Sequence, residues 1–423
     1  MPYWNERAAD AANIRLYSPG RGWLASAEEP PVAEGAQPKP GASRDIGSAL
    51  LNVLNATNVV ILTGTGSSFA AVNPGDKLTP AGMGDVWDAV RVAVGAEEFD
   101  GIVTLFGAKR VASNIEKLLT LCKLYLELHD GKIGDATYDR TAAFVLAAEI
   151  AILARVDFVD AATNLDAHGA LIQKMGRRGV RKPRAKLFTT NYDLCFEEAA
   201  RRSRFSFIDG FSHHLDQTYD RVNFDLDVVR REIGRESPDY VQNVLQFYKL
   251  HGSIDWRRVK GEILRTRQAV GDPVLIYPRS SKYQESFDAP YLDMLSAFQA
   301  ALREPDTALL ISGFGFNDDH ISSPIMSAVE WNMSLRLVVC DPVFISEALL
   351  EGGAHELHNV PVSSNRFIAG LRRLADAGDA RVHIMNGRFQ DLAAALPDLV
   401  GETDRERHVQ RIRSLRDAGG VAA

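Results

Sequence analysis

Short apolar segments that end in glycine or polar residues recur along the chain, and helical patterns separate most of them. The first is "VVILTGTGSS", at residues 59–68. Six later segments have the same character, at residues 186–190, 244–252, 273–278, 308–315, 335–342 and 381–387. Near-continuous apolar strands that alternate with helices are typical of a parallel sheet covered on both faces. The sequence therefore predicts an α/β fold with a parallel sheet.

The first two of these strands are separated by more than a hundred residues with helical patterns. Residues 70–180 contain several such stretches, and Ser113 and Glu116 have the spacing of a capping box at the start of one of them. We therefore predict a helical subdomain at residues 70–180, inserted into an α/β domain made of residues 44–69 and 181–400.

The two ends of the sequence differ from the middle. Residues 1–43 are rich in proline, glycine and alanine and have little periodicity, which predicts an irregular arm. Residues 401–423 follow the last apolar segment and are predicted to form a C-terminal tail or helix.

Composition excludes several classes of protein. The net charge of -7 argues against a nucleic-acid binder that depends on phosphate contacts. The three cysteines are far apart and form no CxxC pair, which predicts no zinc knuckle or disulfide framework and favours a reduced, cytoplasmic setting. The longest apolar run, at residues 142–154, is interrupted by Glu149 and is too short to span a membrane.

Ligands of parallel α/β sheets bind at the carboxyl ends of the strands, so the strand ends are the candidate sites. The first strand ends in a glycine-rich turn, where Gly64 and Gly66 allow amide donors to face an anion. The usual dinucleotide fingerprint has a third glycine where this chain has Phe69. A tight strand-to-helix turn without a ligand explains the same residues equally well.

Two later strand ends carry polar side chains suited to catalysis. The sequence "TTNYD" places Asn191 and Asp193 after a strand, either as a helix N-cap or as groups that orient a polar ligand. His251 follows another apolar segment and precedes Gly252. A single histidine is more often structural, but histidine is also the side chain best suited to proton transfer near neutral pH.

The last two candidate strand ends combine glycines with acidic residues. In "SGFGFNDDHI", Gly313 and Gly315 precede an acidic cluster at residues 317–320, which a helix N-cap explains better than a metal ion does. Asp341 ends the following strand, a common position for contact with a nucleoside.

The order of these motifs resembles the sirtuin fold family, and specifically the divergent bacterial sirtuin-like NAD hydrolases of phage-defence systems. Residues 64–68 are similar to the Gly-Ala-Gly-x-Ser turn, residues 190–193 to Gln-Asn-x-Asp, and residues 251–252 to the catalytic His-Gly pair. Residues 313–315 replace the later Gly-Thr-Ser turn. The resemblance covers roughly residues 45 to 345 and implies a Rossmann-like, sirtuin-like sheet with a large helical insertion.

The chain also departs from the family pattern. Protein-deacetylating sirtuins carry a zinc module with two CxxC pairs, which this sequence cannot form. The family's Gly-Ile-Pro-Asp-Phe-Arg segment has only a distant counterpart at residues 82–87, without the arginine. These departures weaken deacetylation and favour chemistry on NAD alone, with no zinc and no cofactor beyond NAD as substrate.

The resemblance implies hydrolysis of the nicotinamide–ribose bond of NAD. Asn191 would hold the nicotinamide ribose or the water, Asp193 would orient the nicotinamide side, and His251 would accept a proton. The first glycine turn would bind the pyrophosphate, and the later strand ends would bind the other nucleoside. The implied NAD-binding residues are Gly64, Thr65, Gly66, Ser68, Gly313, Gly315 and Asp341.

The sequence is also compatible with two other functions. One is a sirtuin-type deacylase or ADP-ribosyltransferase, and the other is a non-catalytic NAD or ADP-ribose sensor or assembly subunit. For the hydrolase, the resemblance implies an NAD-depleting effector of anti-phage defence. It also implies a homo-oligomer and a HerA-type hexameric ATPase as partner.

Overall fold

A computed structural model describes residues 3–5, 7–28, 41–75, 77–130, 132, 134–179, 182–231, 238–275, 289–353, 357 and 360–399. The tail predicted at residues 401–423 lies outside this part of the chain. No helix within it has the length and hydropathy that crossing a membrane requires.

The strands, in chain order, are β1 (Arg15–Ser18), β2 (Gly22–Ala25), β3 (Asn58–Thr63), β4 (Lys186–Thr189), β5 (Ser206–Ile208), β6 (Gln217–Thr218), β7 (Val229–Arg230), β8 (Asp239–Tyr240), β9 (Val244–Lys249), β10 (Gly252–Val259), β11 (Glu262–Arg265), β12 (Asp272–Leu275), β13 (Thr307–Ser312), β14 (Arg336–Cys340) and β15 (Val382–Asn386).

The α-helices are α1 (Ser43–Asn55), α2 (Thr65–Ser68), α3 (Met83–Val94), α4 (Ala96–Phe106), α5 (Ala108–Val111), α6 (Ile115–Leu128), α7 (Ala136–Val156), α8 (Asp166–Gly176), α9 (Cys195–Ser203), α10 (Tyr291–Arg303), α11 (Asp319–Trp331), α12 (Glu347–Glu351), α13 (Arg366–Asp376) and α14 (Phe389–Ala395).

The large sheet has the strand order β2-β1-β15-β14-β13-β3-β4-β9-β5. From β15 to β5 every neighbouring pair is parallel, whereas β1 and β2 form an antiparallel hairpin on the β15 edge. The α/β class with a large parallel sheet is therefore confirmed.

Both faces of the sheet are buried, and alternate residues of each strand enter opposite cores. On β3, Val60 and Leu62 belong to the core beneath α10, α11 and α13. Val59 and Ile61 belong to the core beneath α1, α8, α9 and α14. Burial of each such side chain contributes about 1.5–3 kcal/mol, so the alternation fixes the register of the sheet.

The helices α3 to α8 lie between β3 and β4 in the chain, within the stretch predicted as an insertion. Helices α3 to α7 form a separate apolar core. That core also contains Leu194, Ile254 and Leu275, which come from the loop after β4 and from a second sheet. The helical subdomain therefore rests directly against the loop after β4 and against β10 and β12.

Residues 15–25 differ from the predicted irregular arm of residues 1–43, because they form the β1–β2 hairpin. Tyr17 and Trp23 enter one core of the sheet, and Leu16 enters the other. Each strand has only four residues. Its side chains become buried on both faces because β1 pairs with β15 and so joins the large sheet. The sequence pattern of the hairpin alone is too short to show this.

The segment at residues 273–278 is not a strand of the parallel sheet. Its described part lies in β12, which belongs to a small antiparallel sheet of order β12-β10-β11-β6. Residues 276–278 lie outside the part that the structure describes. A short apolar run has the same composition in either type of sheet, which explains the error.

Candidate functional site

The ends of six parallel strands form one straight row. In register, Met385 pairs with Cys340, Ser312 with Cys340, Ser312 with Thr63, Thr63 with Thr189, and Thr189 with Lys249. The predicted site residues follow these positions by one to five residues. The carboxyl-terminal side of the sheet therefore carries both glycine turns, Asn191, His251 and Asp341.

The two glycine turns touch each other across the β3–β13 boundary. The Gly66 amide donates a hydrogen bond of 2.9 Å to the Gly313 carbonyl oxygen. A Cβ on Gly66 would lie 2.5 Å from the Gly313 Cα, and a Cβ on Gly313 would lie 2.5 Å from the Ser67 nitrogen. Gly313 also has a φ of 69°. These glycines are therefore required by the close backbone approach itself.

This contact predicts a large loss of stability for Gly313→Ala. The variant combines a left-handed backbone with a clash against backbone atoms, so it should lose roughly 2 kcal/mol or more of unfolding free energy beyond a matched control. Gly378→Ala is that control, because Gly378 has a φ of 83° and open space around its Cβ position. Urea unfolding measures both variants, and equal losses would contradict the steric explanation.

Two amides of the first turn donate hydrogen bonds within the protein. The Gly66 amide is bonded to Gly313, and the Ser67 amide donates to the Gly64 carbonyl oxygen at 2.8 Å. These two donors are engaged within the protein, and pyrophosphate binding by this turn stays a prediction. Thr65 is exposed on the turn and can contact one.

Asn191 is buried and joins the end of β4 to the first turn. Its Nδ2 lies 3.0 Å from the Gly64 carbonyl oxygen, 3.0 Å from Ser67 Oγ and 2.8 Å from Ser68 Oγ. The Gly64 oxygen can only accept, and both serine hydroxyls donate elsewhere, so the amide orientation is fixed. The Oδ1 atom is buried without a hydrogen-bond partner. It is therefore the atom that a ligand could satisfy.

Asp193 stabilises the turn from the other side. Its Oδ2 accepts a hydrogen bond from Ser68 Oγ, and its Oδ1 accepts one from the Cys195 amide at 3.0 Å. Both carboxylate oxygens are thus engaged within the protein, at the start of α9. The structure places Asp193 close to Asn191 in the chain and shows it holding the first turn and the start of α9, and its predicted role in orienting the nicotinamide side stays a prediction.

His251 follows β9 and is paired with a carboxylate that the predicted catalytic set omits. Its Nε2 lies 2.9 Å from Asp318 Oδ2. Asp318 also caps α11, as predicted for the acidic cluster, by accepting from the His320 amide at 3.0 Å. An ionised carboxylate only accepts, so Nε2 carries the proton and the neutral ring has its lone pair on Nδ1.

The charges around His251 favour its protonated form. Burial opposes that form, but the hydrogen bond and charge of Asp318, with the charge of Glu116, outweigh it and raise the pKa of His251. For Asp318, burial is likewise outweighed by the bond and charge of His251, so the pKa of Asp318 is lowered. Protonated His251 therefore forms an ion pair with Asp318, and neutral His251 keeps the hydrogen bond through Nε2 and offers Nδ1 as a base.

Glu116 enters the site from the helical subdomain. Its Oε1 accepts a hydrogen bond of 3.2 Å from the Tyr192 hydroxyl, and the Tyr192 ring centroid lies 6.3 Å from that of His251. Burial raises the pKa of Glu116 against the opposing effect of His251. The capping-box interpretation was wrong, because Asn114 caps α6 in place of Ser113, and this spacing concealed the role of Glu116.

Asp341 is buried at the end of β14 and binds backbone rather than an open surface. Its Oδ1 accepts from the Val343 amide at 3.0 Å. Burial raises the pKa of Asp341 to about 6, against the lowering effect of the Val343, Gly313 and Phe314 amides. Asp341 therefore anchors the second glycine turn, and its predicted nucleoside contact would be additional to this. Gly315 is partly exposed in the same loop.

No group of three or more His, Cys, Asp or Glu side chains is placed to hold a metal ion anywhere in the described ranges. The buried polar groups described above are instead arranged as hydrogen-bond partners and one ion pair. What this edge of the sheet offers a ligand is the Asn191 oxygen, the His251 imidazole and the exposed turn at Thr65.

Comparison with known proteins agrees with the fold. A search of curated proteins gave no match to the chain. Residues 185–337 match the family model of the SIR2-like domain, a range that includes Asn191, His251 and Gly313 but not the first glycine turn. Together with the large parallel sheet, this match supports a sirtuin-like family for the protein, and with it NAD-related activity in general.

Proposed function

We propose that the protein hydrolyses the nicotinamide–ribose bond of NAD and releases nicotinamide and ADP-ribose. The observation that carries the proposal is the unpartnered, buried Oδ1 of Asn191, at the same sheet edge as a histidine with a carboxylate partner. A carbonyl oxygen is suited to a ribose hydroxyl, to water or to developing positive charge. The His251–Asp318 pair is suited to accepting a proton.

The reaction requires little from an acid, because nicotinamide in NAD is already a cationic leaving group. The bond between the ribose C1′ and the ring nitrogen breaks, and its electron pair neutralises the nicotinamide ring. The resulting oxocarbenium ion is attacked by water, which forms the new C–O bond of ADP-ribose. Nδ1 of His251 takes the proton that this water loses, and Asn191 Oδ1 holds the ribose or the water.

Incubation of the purified protein with NAD tests the proposal, with chromatography of nicotinamide and ADP-ribose. Equimolar release of both products is expected. Tight NAD binding without release would favour a sensor or assembly subunit. Release that requires an acyl-lysine peptide or another acceptor would favour a deacylase or ADP-ribosyltransferase. Trp331→Ala is a suitable control variant, because this residue is 85% exposed outside the site.

Asp318→Asn should shift the pH dependence of nicotinamide release. The base must be neutral, so activity falls as the pH drops through the pKa of His251, which Asp318 and Glu116 raise above the ordinary value. Removal of the Asp318 charge lowers that pKa and should move the acidic limb of kcat/KM to lower pH, with a lower maximum rate. Asparagine preserves the α11 cap, so helix loss is not expected. An unchanged limb would contradict the role of the pair.

As part of the same proposal, the hydrolase acts as an NAD-depleting effector of anti-phage defence, in a homo-oligomer that works with a HerA-type hexameric ATPase. The resemblance of the motifs supports this. Light scattering of the protein, alone and mixed with such an ATPase encoded nearby, tests the assembly. A protein that stays monomeric in both samples would contradict it, and infection of cells carrying the gene, with and without Asn191→Ala, tests defence.

A further inference from the structure

Lys249 is the last residue of β9 and is almost completely buried, at 2% exposed. It lies two residues before His251 in the chain. Phe247, two residues earlier on the strand, enters the core beneath α9, so strand alternation directs Lys249 towards the start of that helix. A buried ammonium requires strong partners, because burial without them is costly.

The Lys249 ammonium is surrounded by four oxygen atoms, and two of them belong to the main chain of the loop after β4 (residues 190–194). Nζ donates to the carbonyl oxygens of Tyr192, at 3.2 Å, and Asp193. It also lies 2.8 Å from Glu197 Oε1 and 2.8 Å from Ser253 Oγ. The same side chain therefore connects the loop after β4 with α9 and β10.

Lys249 and Glu197 form an ion pair through only one of the two carboxylate oxygens. Glu197 gives one carboxylate oxygen to Lys249, while its Oε2 is buried without a hydrogen-bond partner. Burial raises the pKa of Glu197 to about 7 against the effect of Lys249, and the charge of Asp255 raises it further. The ion pair is therefore expected to add little to the free energy of unfolding. The main effect of Lys249 is to hold the Tyr192 and Asp193 carbonyl oxygens in place.

The clamped loop carries the two predicted catalytic groups that come from β4. Asn191 precedes Tyr192 directly, and Asp193 holds Ser68 of the glycine turn. The Tyr192 carbonyl also accepts from the Ile254 amide at 3.1 Å, so β10 supports the same point. For the Asp193 carbonyl, the described contact is the one with Lys249.

We propose that Lys249 is a positioning residue for the NAD chemistry: its ammonium fixes the Tyr192 and Asp193 carbonyls and thereby aligns Asn191 with His251. This inference rests on the proposed function for its catalytic consequence. The claim that Lys249 holds the conformation of this loop depends only on the contacts in the structure. A small misplacement of reacting groups costs on the order of 10²-fold in rate, so the effect should be visible in turnover.

Lys249→Met is the direct test, because methionine keeps an unbranched side chain and removes the ammonium. We expect kcat for nicotinamide release to fall about 10²-fold with little change in KM. Hydrogen–deuterium exchange of peptides covering residues 190–197, measured without NAD, should become faster. Glu197→Gln is the matched control, since it removes the carboxylate charge but leaves both carbonyl contacts, and it should keep the loop protected and turnover close to wild type.

Loss of one buried partner can unfold the chain, so a second variant is needed. In Lys249→Met/Glu197→Met both charges are absent, and thermal unfolding should return towards wild type while turnover and loop protection stay low. The inference fails if Lys249→Met keeps its protection and kcat, or if Glu197→Gln reproduces the loss. If the wild type releases no nicotinamide, the exchange measurements alone decide the clamp, and only the proposed hydrolysis is refuted.

Discussion

Asn191→Ala is expected to reduce nicotinamide release by on the order of 10² to 10³-fold, the effect typical of removing one preorganised polar group from a reaction centre. The variant loses the unpartnered Oδ1 that we assign to the ribose or water, and it loses the Nδ2 contacts that hold the first turn. Initial rates at saturating and limiting NAD measure the effect on kcat and kcat/KM separately.

Ser67→Ala separates the two functions of Asn191. It removes one acceptor of Nδ2 but leaves the Gly64 carbonyl, Ser68 Oγ and the free Oδ1 in place. It should cost about 1 kcal/mol of stability and only a small part of the rate. If Ser67→Ala and Asn191→Ala lose equal activity, the Oδ1 atom has no special role. If Asn191→Ala keeps wild-type turnover, the proposed site is wrong.

His251→Ala is expected to lower kcat by on the order of 10² to 10⁴-fold, the usual contribution of a positioned base, with little change in NAD binding. The imidazole Nε2 lies 2.9 Å from Asp318 Oδ2, which orients the ring. Rapid-quench measurement of nicotinamide, combined with a binding titration, distinguishes lost chemistry from lost affinity.

Removal of His251 also leaves the Asp318 carboxylate buried without its ion-pair partner, at 11% side-chain exposure. The variant should therefore unfold at lower temperature than wild type. The double variant His251→Ala/Asp318→Asn has no unpaired buried carboxylate at this position. It should recover part of the lost stability without recovering turnover. Recovery of both would mean that His251 acts through stability rather than through proton transfer.

The parallel sheet could be predicted because its strands have their own signal. Val59, Leu309 and Val338 lie in runs that are apolar on both faces, and only a covered sheet accommodates such runs. The β1–β2 hairpin has no such signal, since its four-residue strands are indistinguishable from loops until β15 is placed. The small antiparallel sheet was not predicted either, because most of its strands are also short.

The sequence located the strand ends that form the candidate site, but it did not show which side chains contact one another there. Strand ends located Asn191, His251 and both glycine turns, because the chain direction of parallel strands alone brings them to one edge. The partners Asp318 and Glu116 could not be located, since N-cap and capping-box spacings already explained them. Lys249 could not be recognised because it lies in an apolar segment, and only the structure shows that its ammonium contacts carbonyl oxygens of the loop after β4.

The hairpin has a consequence for how the chain assembles during synthesis. Arg15 pairs with Asn386, so the first strands of the sequence find their sheet partner only after roughly 370 further residues have been made. A two-stranded hairpin is marginal by itself, and closing so long a loop is slow. During synthesis, residues 15–25 therefore have no sheet partner until β15 has been made, and an unpaired strand edge favours aggregation. Completion of the sheet thus depends on β15 rather than on β1.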